Sequence, residues 1–164
     1  MHKVAQLVQT EAGIRLIQKA QYEQHLIKYL REEWTKTDQQ FYSTYILCNI
    51  YYISSSAPPE HLTLLLLQLL DVADIRSLEN IFFLMVNAFS DHSQWLLVLL
   101  NQHQLGEKLF KLFGRFPHPS SQFLTLFVHL VFKVIQVAGK HSTLLKLQKN
   151  LLMIVMQDYV PERK

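Results

Sequence analysis

The sequence predicts an all-α chain built as a short stack of helical repeats, and three observations carry that prediction. Hydrophobic residues make up 49% of the 164 residues, with four Gly and five Pro among them, a composition suited to helices joined by short connections. Leu-rich runs recur at helical spacing. A polar and aromatic stripe on one of these runs returns elsewhere in the chain at the same offsets.

The stripe is clearest in SLENIFFLMVNAFSD, Ser77 to Asp91, where, counting from Arg76 just before the run, Asn80, Phe83 and Asn87 stand at i+4, i+7 and i+11. That spacing sets them on one helix face. A shift of 38 positions back gives Asp38, Tyr42, Tyr45 and Asn49, and a shift of 49 forward gives Thr125, His129, Phe132 and Gln136. In each run an aromatic precedes an amide by four residues. The two spacings bracket the period of about 40–47 residues found in stacked helical repeats.

The elements follow in order. Val4 to Lys19 reads as an amphipathic helix interrupted near Gly13, with residues 1–20 forming an N-terminal cap. Gln21 to Arg31 is a second short helix, ended by WTKTD. Asp38 caps the next, Gln39 to Ile53. SSSAPPEH, Ser54 to His61, is the clearest linker, with Pro58 and Pro59 suited to a first helical turn and Ser56 placed to cap it. Leu62 to Leu70 is apolar nearly all round and so buried on most sides. DVAD, Asp71 to Asp74, turns the chain into Ile75 to Phe89, and Ser90 or Asp91 caps the helix holding QWLLVLLNQ. His103 to Leu105 mark a bend into GEKLFKLFGRF, with Lys108 and Arg115 opposite the apolar face. PHPSS leads into Gln122 to Ala138, which Gly139 ends. Ser142 to about Tyr159 closes the stack as a C-terminal cap over 142–160, making 1–164 one domain.

Charge and chemistry exclude several function classes. The net charge is +3, spread unevenly: one basic group against four acidic ones in 61–104, and nine against three in 105–164. That balance argues against nucleic acid, whose partners cluster Lys and Arg on one face. Cys48 stands alone, so no disulfide forms within the chain, and an intracellular compartment, cytoplasm or nucleus, is expected. The N-terminal residues hold no continuous apolar run of a secretory signal. Gln122 to Gly139 approaches the roughly 20 residues of a membrane span, but His129, Lys133 and Gln136 argue against one. The eight His form no His-x-x-x-His pair, so no metal is expected. No phosphate loop, nucleophile elbow or catalytic constellation occurs, and no cofactor or small-molecule substrate is implied.

YILCNIYYIS from Tyr45, FLMVNAFSD from Phe83 and FKVIQVAG from Phe132 resemble the third helix of armadillo repeats, in particular those of the importin-alpha carriers. The family pattern there is Trp-x-x-x-Asn followed by an apolar and a small residue. LLDVADIRSLENIFFLMVNAFSDHSQWLLVLLNQHQL resembles a whole repeat, and the resemblance covers roughly residues 21–160. It implies a right-handed α-solenoid of about three and a half armadillo- or HEAT-like repeats, with a concave groove for extended, often basic, peptides. By position, the aromatic role would fall to Tyr45, Phe83 and Phe132, and the backbone-binding amide role to Asn49, Asn87 and Gln136.

The expected function is therefore a non-catalytic module that binds an extended peptide or a partner protein, in the manner of a nuclear-transport adaptor. Tyr42, Tyr45, Asn49, Asn80, Phe83, Asn87, His129, Phe132 and Gln136 form its candidate site. The sequence leaves a second reading open, in which the aromatics are core and the amides bridge neighbouring helices. It also leaves open a structural subunit of a larger complex that docks through apolar terminal helices. Met153, Ile154 and Met156 in LLMIVM are the candidate interface residues.

Overall fold

A computed structural model describes residues 2–32, 37–116 and 120–138, together with Lys149, and their regular structure is entirely helical. The first two helices are α1 (His2–Leu7) and α2 (Glu11–Lys19), followed by α3 (Tyr22–Glu32) and α4 (Thr37–Ile53). Then come α5 (Glu60–Val72), α6 (Ile75–Asp91), α7 (Ser93–His103), α8 (Leu105–Phe113) and α9 (Ser121–Ala138). No helix among the described residues is long and apolar enough to cross a membrane.

The N-terminal segment is two helices rather than one. The break falls at Val8–Thr10, where Thr10 caps α2 by accepting the Gly13 N–H. Gly13 is needed for a different reason: a Cβ there would lie 1.9 Å from the Leu7 carbonyl oxygen, so the glycine lets the two helices meet.

Other boundaries differ from expectation in instructive ways. Pro59, not Ser56, is the N-cap of α5, without a side-chain bond, and Ser56 instead bonds Ser54 across the turn. α6 runs on through Ser90 and Asp91, so His92 ends it and begins α7. Asp74 does cap α6, accepting the Ser77 N–H at 2.8 Å. Gln104 makes the bend into α8 with φ 53, a left-handed conformation uncommon for a residue with a Cβ. The C-terminal cap over 142–160, with Met153, Ile154 and Met156, lies outside the described residues.

The helices pack in two rows. α4, α6 and α9 lie side by side, with α6 in the middle, while α3, α5 and α8 form a second row. α7 bridges α6, α8 and α9, and α1 and α2 lie against α4 and α3. Asp38 and Arg76 meet where α4 and α6 begin, and Phe41 and Thr44 meet Asn80 a turn later. The two helices therefore run the same way. Ser120 on Glu79 and Phe123 on Phe82 show the same for α9 against α6.

The core lies between the rows. Six Leu of α5 are buried, with Phe82 and Phe127 fully enclosed. Phe82 packs on Phe123 and Phe127, with ring centroids 5.3 and 5.6 Å apart, and such burial stabilises by about 1.5–3 kcal/mol per large side chain. Lys108 and Arg115 do not stand free on a solvated face. Lys108 pairs with Asp71, and Arg115 donates to the Leu70 and Ala73 carbonyls, the unpaired acceptors at the end of α5. Burial there pulls the Arg115 pKa below its ordinary value, partly offset by Asp71.

Candidate functional site

A groove of about 860 Å³ crosses the middle of α4 and the N-terminal halves of α6 and α9. Phe41, Tyr45 and Asn49 line it from α4, Arg76, Glu79, Asn80 and Phe83 from α6, and Ser121, Gln122, Thr125 and Leu126 from α9. It exists because three helices run side by side in one direction. Each presents residues one turn apart on the same face.

Asn80 sits at the centre and faces α4. Its Nδ2 donates to the Phe41 carbonyl at 3.3 Å and to Thr44 Oγ1 at 3.2 Å, which ties two helices together and leaves its Oδ1 as the acceptor. Asn49 behaves differently. Its Nδ2 donates at 2.8 Å to the Tyr45 carbonyl of its own helix, so a second N–H and the Oδ1 remain for a ligand. Phe83 is 38% exposed and meets Tyr52 edge-on at 4.8 Å. Tyr45 is half-buried and stacks on Phe41.

The groove carries little net charge. Arg76 and Glu79 are its charged liners. Arg76 bonds Asp38 at 2.8 Å and lies 5.1 Å from the centre of the Phe41 ring, and the hydrogen bond to Asp38 holds its pKa above the ordinary value. Glu79 accepts the Ser120 hydroxyl at 2.8 Å. The other acidic groups of 71–91 point elsewhere: Asp71 goes to Lys108, Asp74 caps α6, and Asp91 lines a separate pocket. Cys48 backs the groove but is buried, and desolvation pushes its thiol pKa far up.

The nine sequence-derived residues thus divide. Tyr45, Asn49, Asn80 and Phe83 come together in the groove. Tyr42 lines a small cleft of about 180 Å³ against Ala5, Gln6 and Gln9, sharing Phe41 and Tyr45 with the groove. Asn87 lines another pocket, of about 210 Å³, with Tyr51, Tyr52, Ser55, Asp91 and His92, and its Nδ2 donates to the Phe83 carbonyl at 2.6 Å. His129, Phe132 and Gln136 lie farther along α9 and are not among the groove's liners.

The third stripe is displaced by register. α6 meets α4 at the offset of 38 seen between Arg76 and Asp38, the same shift that aligns their stripes. Ser120 meets Glu79 at an offset of 41, whereas the stripes align at 49, so α9 offers its first turns to the groove and Thr125 alone of its stripe lines it. Phe41 stands outside the offsets of the α4 stripe, and its place one turn before Tyr45 is the signal that could have added it. Glu79, Ser121 and Gln122 carried no such signal, because the placement of α9 brings them in.

Among the described residues no group of three or more His, Cys, Asp or Glu converges as a metal ligand set. Compared with family models, curated proteins and solved structures, the chain finds no match.

Proposed function

We propose that the chain is a non-catalytic, intracellular protein-interaction module that holds an extended peptide, or an extended segment of a partner protein, across α4, α6 and α9. On this reading the two rows are a short armadillo- or HEAT-like solenoid of about three and a half repeats, and the groove is its concave face. The observation that carries it is the groove itself, in which aromatic and amide side chains of three parallel helices face one open channel.

The chemistry suits a main chain more than a highly charged ligand. An extended strand leaves one N–H and one C=O unpaired at each residue, and Asn49 and Gln122 offer amides that serve both. Phe83 and Tyr45 flank them with rings for side-chain stems. Glu79 gives one position for a basic side chain, while Arg76 opposes a run of them. Three helices at about 8–10 Å spacing reach across roughly 20 Å, enough for about six extended residues.

Selection of peptides from a random display library on the full chain, followed by titration of the selected peptide, tests this reading. Phe83→Ala and Asn49→Ala are expected to weaken binding about tenfold or more while the melting temperature stays within a few degrees. His129→Ala should leave affinity unchanged. Selected peptides that bind Phe83→Ala as well as the parent chain would place the binding site elsewhere.

A further inference from the structure

The outward face of α5 carries a row of a different kind. Leu64, Gln68 and Val72 stand at i, i+4 and i+8, with Leu64 40% and Val72 44% exposed. Beside the row runs a cleft of about 490 Å³, closed on the α3 side by Leu30 and Arg31 and bounded also by Leu65 and Leu69. This surface shares no residue with the groove.

The α3 side of the cleft is basic. Arg31 lines it, and Lys28, three residues earlier on the same helix face, is exposed as well. Asp71 is already taken up by Lys108, and Glu107 of α8 is engaged in its own contact. Glu60 stands at the other end of the row, one turn before Leu64. Positive charge therefore lies along the α3 side of the cleft.

We infer that this cleft docks an amphipathic helix of a partner protein, with its apolar stripe over Leu64 and Val72 and carboxylates facing Arg31 and Lys28. An extended chain is a poor occupant. Most of the lining is aliphatic, and Gln68 offers one amide, so an extended segment would bury backbone N–H and C=O groups without partners. A helix arrives with those groups already paired, which is why apolar clefts between helices take helices. Leu64 to Val72 covers eight residues, about 12 Å of helix axis, or a little over two turns. The apolar anchors hold the helix, and the charges on the α3 side select acidic partners.

The test uses the full chain and three fluorescein-labelled peptides of about 15 residues, hydrocarbon-stapled to hold them helical. One carries Leu at i, i+4 and i+7 with flanking Glu. A second replaces each Glu by Lys, and an unstapled third breaks the helix with Pro. The Glu peptide is expected to bind, with the other two weaker by about tenfold or more. Leu64→Glu, and separately Arg31→Glu, should each remove binding, both at exposed positions where the fold tolerates charge, while Phe83→Ala leaves it intact. Equal binding of the Glu and Lys peptides, survival of binding in Leu64→Glu, or no binding by either stapled peptide overturns the proposal. Self-association of the chain that Leu64→Glu abolishes would assign the cleft to a second copy. Attachment to phosphatidylserine vesicles without peptide binding would assign it to a membrane. Either result overturns the helix assignment.

Discussion

The two ends of α6 carry the same residue type on the same face and use it in opposite ways. Asn80 reaches across to α4 and binds both a backbone carbonyl and the Thr44 hydroxyl, whereas Asn87 turns back on its own helix at Phe83. The difference lies in the neighbours. Where α4 lies close enough to present a carbonyl and a hydroxyl, the amide becomes a structural tie. Near the C-terminal end Asn87 faces an open pocket, so its amide stays on the surface. One stripe therefore holds both a packing residue and an accessible one.

The largest effect should come from removing what both ends rest on. Phe82→Ala is expected to cost about 3–5 kcal/mol, read as a fall in denaturation midpoint, because its ring packs against Phe123 and Phe127 in the core. Asn80→Ala should cost about 1–2 kcal/mol for two lost hydrogen bonds, a drop of several degrees in melting temperature for a chain of this length. A double-mutant cycle with Thr44→Val should give a coupling of about 0.5 kcal/mol or more, while a value near zero would show that the hydroxyl is not the partner that matters. Asn87→Ala should change stability by less than about 0.5 kcal/mol. Equal losses at Asn80 and Asn87 in urea titrations would erase the distinction between the two ends.

Much of the helix layout was legible beforehand because it follows from local chemistry. Apolar spacing located the helices, Asp74 marked the start of α6, and the turn residues around Gln104 marked the bend. The boundaries at Val8–Thr10 and at His92 were less visible, since one depends on the Leu7 carbonyl packing onto Gly13 and the other on α6 continuing through two polar residues. Among the liners of the groove, Tyr45, Asn49, Asn80 and Phe83 belong to the shared stripe. It also included His129, Phe132 and Gln136, because identical spacing on two helices fixes which residues share a face and leaves open how the helices slide past one another.

The sequence by itself determined that the chain is helical, where most of its helices lie, and which side chains share a face on each. These properties arise within one or two turns, from hydrogen bonding and apolar periodicity. Only the tertiary structure decided that α9 meets α6 at an offset of 41 rather than 49, that Asn80 is a tie while Asn49 keeps groups free, and that Lys108 and Arg115 secure the end of α5. The physical reason is that register, pairing and exposure depend on contacts between residues some forty positions apart, whose strength is set by the fit of two surfaces.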